Sequence, residues 1–113
     1  MVPFDAFVSL ETQVERQRQA RESQFQALID EAQLAFLDFC DFKAREDLQD
    51  LTRLCLEALH YQRSRVEPYA LLAFAMFCAQ SPRLGQKYLK IARSIHPQFP
   101  LVQKIQNQLL KGI

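Results

Sequence analysis

The stretch VEPYALLAFAMFCAQSPRLGQKYLKIARSIHP, residues 66–97, decides the fold of this chain. Its apolar and small residues recur at the three- and four-residue spacing of helices, in two blocks separated by Ser81 and Pro82. Pro68 falls in the first turn of the first block, where a missing N–H costs nothing, and Pro97 ends the second block. The pattern therefore predicts a helix, a tight turn and a second helix packed against the first.

Small residues indicate where the two predicted helices come closest. Antiparallel helices approach closely only where side chains are small, so the predicted contact points are Ala73, Gly85 and Ala92. Gly85 lies near the start of the second helix, where glycine costs about 1 kcal/mol relative to alanine, and packing is the better reason for its presence. The larger residues that fill the remaining space are Tyr69, Leu72 and Leu89.

This arrangement resembles a tetratricopeptide (TPR) repeat. The family pattern of aromatic, bulky and small residues with a closing proline is held here by Tyr69, Leu72, Ala73, Met76, Gly85, Leu89, Ala92 and Pro97. Ala73 stands where glycine is usual and Met76 where tyrosine is usual, and both keep the size class. The resemblance implies TPR-like antiparallel helical hairpins and a non-catalytic module that binds proteins, as an adaptor, scaffold or assembly factor. It names no partner.

The composition agrees with an all-α fold in one domain. The chain has 113 residues, of which 49% are hydrophobic and 24% are charged, and it contains only two glycines. Neither glycine nor proline occurs between Phe4 and Glu67, and no alternating strand pattern is visible. The longest apolar run, residues 69–79, is far shorter than the roughly 20 residues that cross a bilayer. Because the N-terminus also lacks the features of a secretory signal, we expect a cytoplasmic protein.

A weaker repeat precedes the clear one. Helices are predicted near residues 25–40 and 45–61, and Ala58 lies one repeat length before Ala92, although Arg63 replaces the closing proline. The earlier helix carries an apolar stripe at helical spacing, formed by Phe25, Leu28, Ile29, Ala32, Phe36 and Phe39. We interpret this segment as a degenerate repeat.

The helical domain, residues 25–113, is predicted to end in a capping helix over residues 100–111. One side of this helix carries Leu101, Ile105, Gln108 and Leu109, and the other carries Lys104, Asn107 and Lys111. Because stacked repeats usually need three or more units to be stable, a chain with two should recruit further helices or a second copy. We therefore expect a homodimer.

Residues 1–24 form an N-terminal helical arm of different composition. Strong helix formers fill residues 11–24, but only Val14 and Ala20 among them are apolar. Three roles stay open for the arm: a helix packed back on the repeats, a device for self-association, or a solvated linker to the apolar patch Phe4–Leu10. That patch also permits peripheral membrane association through Phe4, Phe7 and Val8.

The resemblance also implies a partner-binding groove, because first helices line the concave surface in this family. Its positions here are Glu67, Ala70, Leu71, Phe74 and Phe77, with Cys78 beside them. Family members that hold a peptide's terminal carboxylate use lysine, asparagine and arginine, and none of these occupies those positions. An apolar groove should instead accept an amphipathic helix or an apolar segment. The alternative is that the chain's own N-terminal helix fills it.

Charge is divided unevenly along the chain. Residues 1–57 contain 12 acidic and 6 basic side chains, whereas residues 58–113 contain 1 acidic and 8 basic ones. A basic face on the second helix of the clear repeat is formed by Arg83, Lys87, Lys90 and Arg93. Such a row is typical of a solvated outer face, and it also fits nucleic acid or another acidic partner, since Lys104 and Lys111 extend it.

No catalytic, cofactor-binding or metal-binding residues are predicted. The three cysteines are widely spaced within apolar patterns, which favours small core residues in a reducing compartment over a disulfide framework or a zinc site; they are Cys40, Cys55 and Cys78. His60 and His96 each fall at a predicted helix end, where the helix dipole favours them. No motif supplies either histidine with a catalytic partner, so we expect a protein that is not an enzyme.

Overall fold

The structure, a computed structural model, describes the backbone of residues 4–111 and the side chains of residues 10–109. This part of the chain contains five α-helices and no strand, which confirms the all-α prediction. The helices are α1 (Phe4–Phe42), α2 (Arg45–Tyr61), α3 (Val66–Cys78), α4 (Pro82–Ile95) and α5 (Pro100–Lys111). None of the helices within the described residues is both long and apolar enough to cross a membrane.

Two helices end at a residue other than glycine whose backbone adopts the left-handed conformation. Lys43 has φ 57° and donates its backbone N–H to the Phe39 carbonyl at 2.8 Å, which closes the last turn of α1. Gln80 has φ 61° at the end of α3, where Ser81 N–H bonds the Met76 carbonyl at 2.8 Å in a Schellman motif. These two caps turn the chain sharply without glycine, so consecutive helices can pack side by side.

The helices pack in chain order around two cores that share α3. The first core joins α1, α2 and α3 around Leu51, Cys55 and Leu72. The second joins α3, α4 and α5 around Leu89 and Val102. Because α3 contributes to both cores, it is apolar on almost every side rather than amphipathic, as a buried helix is expected to be.

The predicted close contacts between helices are confirmed. Ala73 and Ala92 are fully buried, Gly85 is buried on the same side of α4, and Ala58 is fully buried one repeat length earlier. In the helix near residues 25–40, every member of the predicted stripe is buried or half-buried. The loop between α2 and α3 is fastened by the Tyr69 hydroxyl, which donates to the Arg63 carbonyl at 2.7 Å.

The N-terminal arm differs from the prediction in one respect. The sequence treats it as a separate piece, whereas α1 runs from the arm into the helix of the first hairpin without interruption. At 1.5 Å per residue the 39 residues of α1 span about 58 Å, which explains most of the molecule's longest dimension of 69 Å. The packed body begins at Phe25, and the preceding residues extend beyond it for about 30 Å.

Candidate protein-binding groove

A groove runs over the surface where the second half of α1, α3 and α5 meet. It consists of two adjoining cavities of about 360 Å³ and about 570 Å³, which share Phe36, Leu101 and Lys104 as lining residues. We call these two cavities together the groove. The side chains that line it are mainly apolar. The reason is that α3 is apolar on nearly every side, so the part of its surface that neither core covers is also apolar.

Aromatic packing fixes α3 against α1 at the base of the groove. Phe74 lies between two phenylalanines of α1, with its ring centroid 4.7 Å from that of Phe36 and 6.0 Å from that of Phe39. Both pairs meet edge to face, an arrangement that stabilises aromatic pairs beyond the burial of their area. The sequence placed Phe36 and Phe39 on the buried stripe of this helix but had no means of predicting their partner.

Four of the five predicted groove residues line the groove, at different depths. Glu67 and Leu71 line the smaller cavity, although Leu71 is itself almost wholly buried, and Phe74 and Phe77 line the larger one. The placement of Ala70 is wrong. Its side chain is fully buried in the second core, because that core packs α4 and α5 against this part of α3.

Lys104 also lies elsewhere than predicted. The sequence assigned it to the outer, polar side of α5, but it is an exposed residue that lines both cavities of the groove. The repeat pattern assigns groove positions to α3 alone, so a basic groove residue on α5 was not predicted. The spacing of Leu101, Lys104 and Gln108 at three and four residues places all three on one helical face and could have indicated the assignment.

The charge within the groove is positive where α5 meets α1. The carboxylate of Glu67 forms an ion pair with the Arg65 guanidinium at 2.8 Å. Among the described residues, none of the ion pairs includes Lys104. Lys43, at the far end of α1, acts electrostatically on Cys78 in the larger cavity. An occupant of the groove would therefore meet an apolar base and at least one cation.

The three cysteines do not share one environment. Cys55 is buried in the first core, as predicted, and burial raises the pKa of its thiol to about 12. Cys40 and Cys78 are exposed, which corrects their assignment to the core: both line the larger cavity of the groove. Burial of its thiol raises the pKa of Cys78, Lys43 lowers it, and the neighbouring Cys40 raises it.

The exposure of the arm bears on one of the three roles that were left open for it. Every described side chain from Leu10 to Gln24 is exposed, and Leu10 and Val14 retain 58% and 64% of their accessible surface. Residues 10–24 are therefore not packed back on the repeats and do not fill the groove of their own chain. The side chains of Phe4, Phe7 and Val8, which the membrane hypothesis invokes, lie outside the described residues.

The basic face occupies the outer side of α4. Arg83, Lys87, Lys90 and Arg93 are all exposed, while Gly85, Leu89 and Ala92 on the opposite side of the helix are buried. The ion pairs among the described residues involve arginines elsewhere in the chain. The row is thus continuous and open to solvent. The side chain of Lys111, which was predicted to extend it, lies outside the described residues.

A larger cavity of about 940 Å³ lies between α2 and the ends of α1 and α3, and it shares Cys78 with the groove. Its α2 wall is largely polar, and it includes Arg53 and Glu57, which bind each other at 3.2 Å, and the exposed His60. His60 and His96 lie at the ends of α2 and α4, as predicted. Within the described residues no cluster of three or more histidine, cysteine or acidic side chains is placed to hold a metal ion.

Comparison of the chain with known protein families, with curated proteins and with solved structures gives no match.

Proposed function

We propose that this protein is a non-catalytic TPR-like interaction module that binds a helix or an apolar segment of a protein in the groove. The proposal is supported by the order of packing, in which α1 with α2 and α3 with α4 form successive hairpins and α5 covers the last of them. It implies a role as an adaptor, scaffold or assembly factor. The three free thiols fit a reducing compartment, and we propose the cytoplasm.

The observation that carries the proposal is the apolar groove itself. Three elements far apart in sequence converge on it, and they leave Leu37 55% exposed beside Phe36 and Leu101. An amphipathic helix buries apolar side chains at three- and four-residue spacing, which suits an apolar groove bounded by helices. Fully burying one leucine side chain in such a contact contributes about 1.5–3 kcal/mol.

The test compares two substitutions on one helix. Leu37→Gln removes apolar surface from the groove, and Leu34→Gln removes it from a neighbouring position that does not line the groove, where Leu34 is 63% exposed beside acidic residues of α2. Affinity capture with quantitative mass spectrometry should recover partners with the intact chain and with Leu34→Gln, but lose them with Leu37→Gln. Equal recovery by both variants would contradict the proposal. Phe74 is unsuitable for this purpose because it holds α3 against α1.

We also propose that the chain forms a homodimer. The support comes from the arm, in which every described side chain from Leu10 to Gln24 is exposed, the apolar Leu10 and Val14 among them. Exposed apolar side chains at helical spacing are typical of a surface that is covered by another protein.

A second candidate function rests on the basic face of α4. Four exposed cations in a row suit an acidic protein surface or a nucleic acid backbone, and binding of this kind weakens steeply as salt concentration rises. The groove remains the stronger candidate because it combines apolar area, shape and charge, whereas the row offers charge alone.

A further inference from the structure

We propose that the groove of one copy is occupied by the N-terminal arm of a second copy, so that the homodimer forms by reciprocal exchange of arms. This inference rests on the proposed function, since it assumes that the groove binds a helix. It adds the identity of the occupant: residues 4–15 of α1, an acidic and partly apolar helix.

The arm cannot reach the groove of its own chain. Phe36 and Leu37 line the groove, and they belong to the same uninterrupted helix as Leu10. Leu10 and Phe36 are 26 positions apart, which spans about 39 Å of helix at 1.5 Å per residue. As long as α1 remains helical, its exposed arm and its groove are therefore kept apart, so an arm that enters a groove must come from another molecule.

The chemistry of the arm matches that of the groove. Residues 4–15 contain three acidic side chains and no basic one, while the groove presents the cation of Lys104, which joins none of the ion pairs formed by residues 10–109. Leu10 and Val14, one helical turn apart, form an exposed apolar stripe, and Glu11 lies beside it. The arm therefore offers apolar side chains to the apolar base of the groove, and it offers carboxylates to Lys104.

Reciprocal exchange also closes the assembly. Each copy contributes one arm and one groove. In a dimer with twofold symmetry each arm occupies the groove of the partner, so no arm and no groove remains open to a third copy. A dimer should therefore form without further growth into filaments. A foreign partner would then have to displace the arm, so dissociation of the dimer would control access to the groove.

The first experiment measures the mass of the full-length protein by sedimentation velocity over a wide concentration range. The intact chain should form a dimer, and Leu10→Glu should raise its dissociation constant at least about tenfold. Thr12→Glu is the matched control, because a residue two positions from both Leu10 and Val14 lies on the opposite face of the arm. A monomer at every concentration, or equal weakening by both variants, would overturn the inference.

Charge reversal tests whether the arm meets the groove rather than the other arm. Glu11→Lys and Lys104→Glu, both at exposed positions, should each weaken the dimer. An equimolar mixture of the two variants should associate more tightly than either alone, since each arm then faces a groove of opposite charge. A dimer that tolerates Lys104→Glu but not Glu11→Lys would show that the arms pair with each other, and would overturn the inference.

Cysteine alkylation supplies an independent readout at the groove. The exposed Cys40 lines the larger cavity, so an inserted arm should slow its reaction severalfold as the intact protein dimerises, and Leu10→Glu should abolish that protection. A reaction rate that does not change on dimerisation would contradict arm insertion.

A labelled peptide of residues 1–16 separates this inference from the proposed function. The peptide should bind the full-length Leu10→Glu variant, and additional Leu37→Gln should weaken that binding at least about tenfold. If the peptide does not bind while Leu37→Gln still abolishes capture of other proteins, the inference fails and the proposed function stands. If the peptide binds but no capture depends on Leu37, the proposed adaptor role fails and arm exchange stands.

Discussion

The ring of Phe77 lies directly against the backbone of Gly85, so that a Cβ atom built on Gly85 would be 2.9 Å from three carbons of that ring. Gly85 belongs to α4, and Phe77 belongs to α3 and lines the larger cavity of the groove. Because Gly85 of α4 has no side chain, the Phe77 ring can lie against its backbone. This contact therefore sets the position of an aromatic ring that lines the groove. Core packing and the shape of the groove are coupled at this contact.

Gly85→Ala should destabilise the protein. Alanine gains about 1 kcal/mol of helix propensity over glycine, but forcing a methyl group against a packed ring costs about 1–3 kcal/mol. We expect a net loss of about 1 kcal/mol in the free energy of unfolding, measured by urea denaturation followed by circular dichroism. The displaced ring of Phe77 should also weaken binding in the groove.

A double variant supplies the control for this prediction. Phe77→Leu removes the ring that the new methyl group meets, so Gly85→Ala should cost less, or even stabilise, in that background. An equal cost of Gly85→Ala in both backgrounds would show that Phe77 is not the reason for glycine at this position.

Gln80→Gly should stabilise the protein by about 0.5–1 kcal/mol, because Gln80 adopts a left-handed conformation that glycine adopts without strain. The same substitution at Gln86, an exposed position inside α4, should instead cost about 1 kcal/mol in helix propensity. Thermal unfolding of the two variants beside the intact chain checks the sign of each change. Destabilisation by both would argue against the Schellman cap at the end of α3.

The cysteines should react with iodoacetamide in the order Cys40, Cys78, Cys55 near pH 8. Only the thiolate reacts, and burial raises the pKa of Cys55 to about 12, so its thiolate population at this pH is negligible. Cys78 follows Cys40 because burial also raises its pKa. Rates measured by mass spectrometry of monomeric Leu10→Glu avoid any effect of dimerisation. Fast reaction at Cys55 in the folded protein would contradict its place in the first core.

The second candidate function makes a separate prediction for the basic face. Binding of a polyanionic probe such as heparin should fall steeply with salt, and Lys87→Glu combined with Lys90→Glu should weaken it at least about tenfold. Leu37→Gln, which alters the groove instead, should leave it unchanged. If binding responds neither to salt nor to the lysine substitutions, the second candidate function is wrong and the basic face is only a solvated surface.

The helices could be predicted from the sequence because their signals are local. Proline positions, the absence of glycine from most of the chain and apolar spacing indicated α2 to α5 and the buried stripe of α1. The contacts of Ala73, Gly85 and Ala92 were also predictable, since only small residues permit close helix packing. The continuity of α1 was not predicted, because its change of composition after residue 24 suggested two segments where the backbone has one.

The candidate site was less predictable, because it depends on which helices cover which faces. The buried position of Ala70, the orientation of Lys104 toward the groove and the exposure of Cys40 and Cys78 all follow from how α5 and the end of α1 pack on α3. Periodicity shows that a helix has an apolar side, but it does not show how much of that side a distant helix will cover.

The sequence by itself thus determined an all-α chain, its helix boundaries near proline and its small-residue contacts, since each depends on residues within a few turns of one another. Only the tertiary structure decided that α1 extends as a free arm and that α1, α3 and α5 leave a groove open between them. Those features arise from the packing of helices far apart in sequence, where the order and angle of contact are set by the whole core.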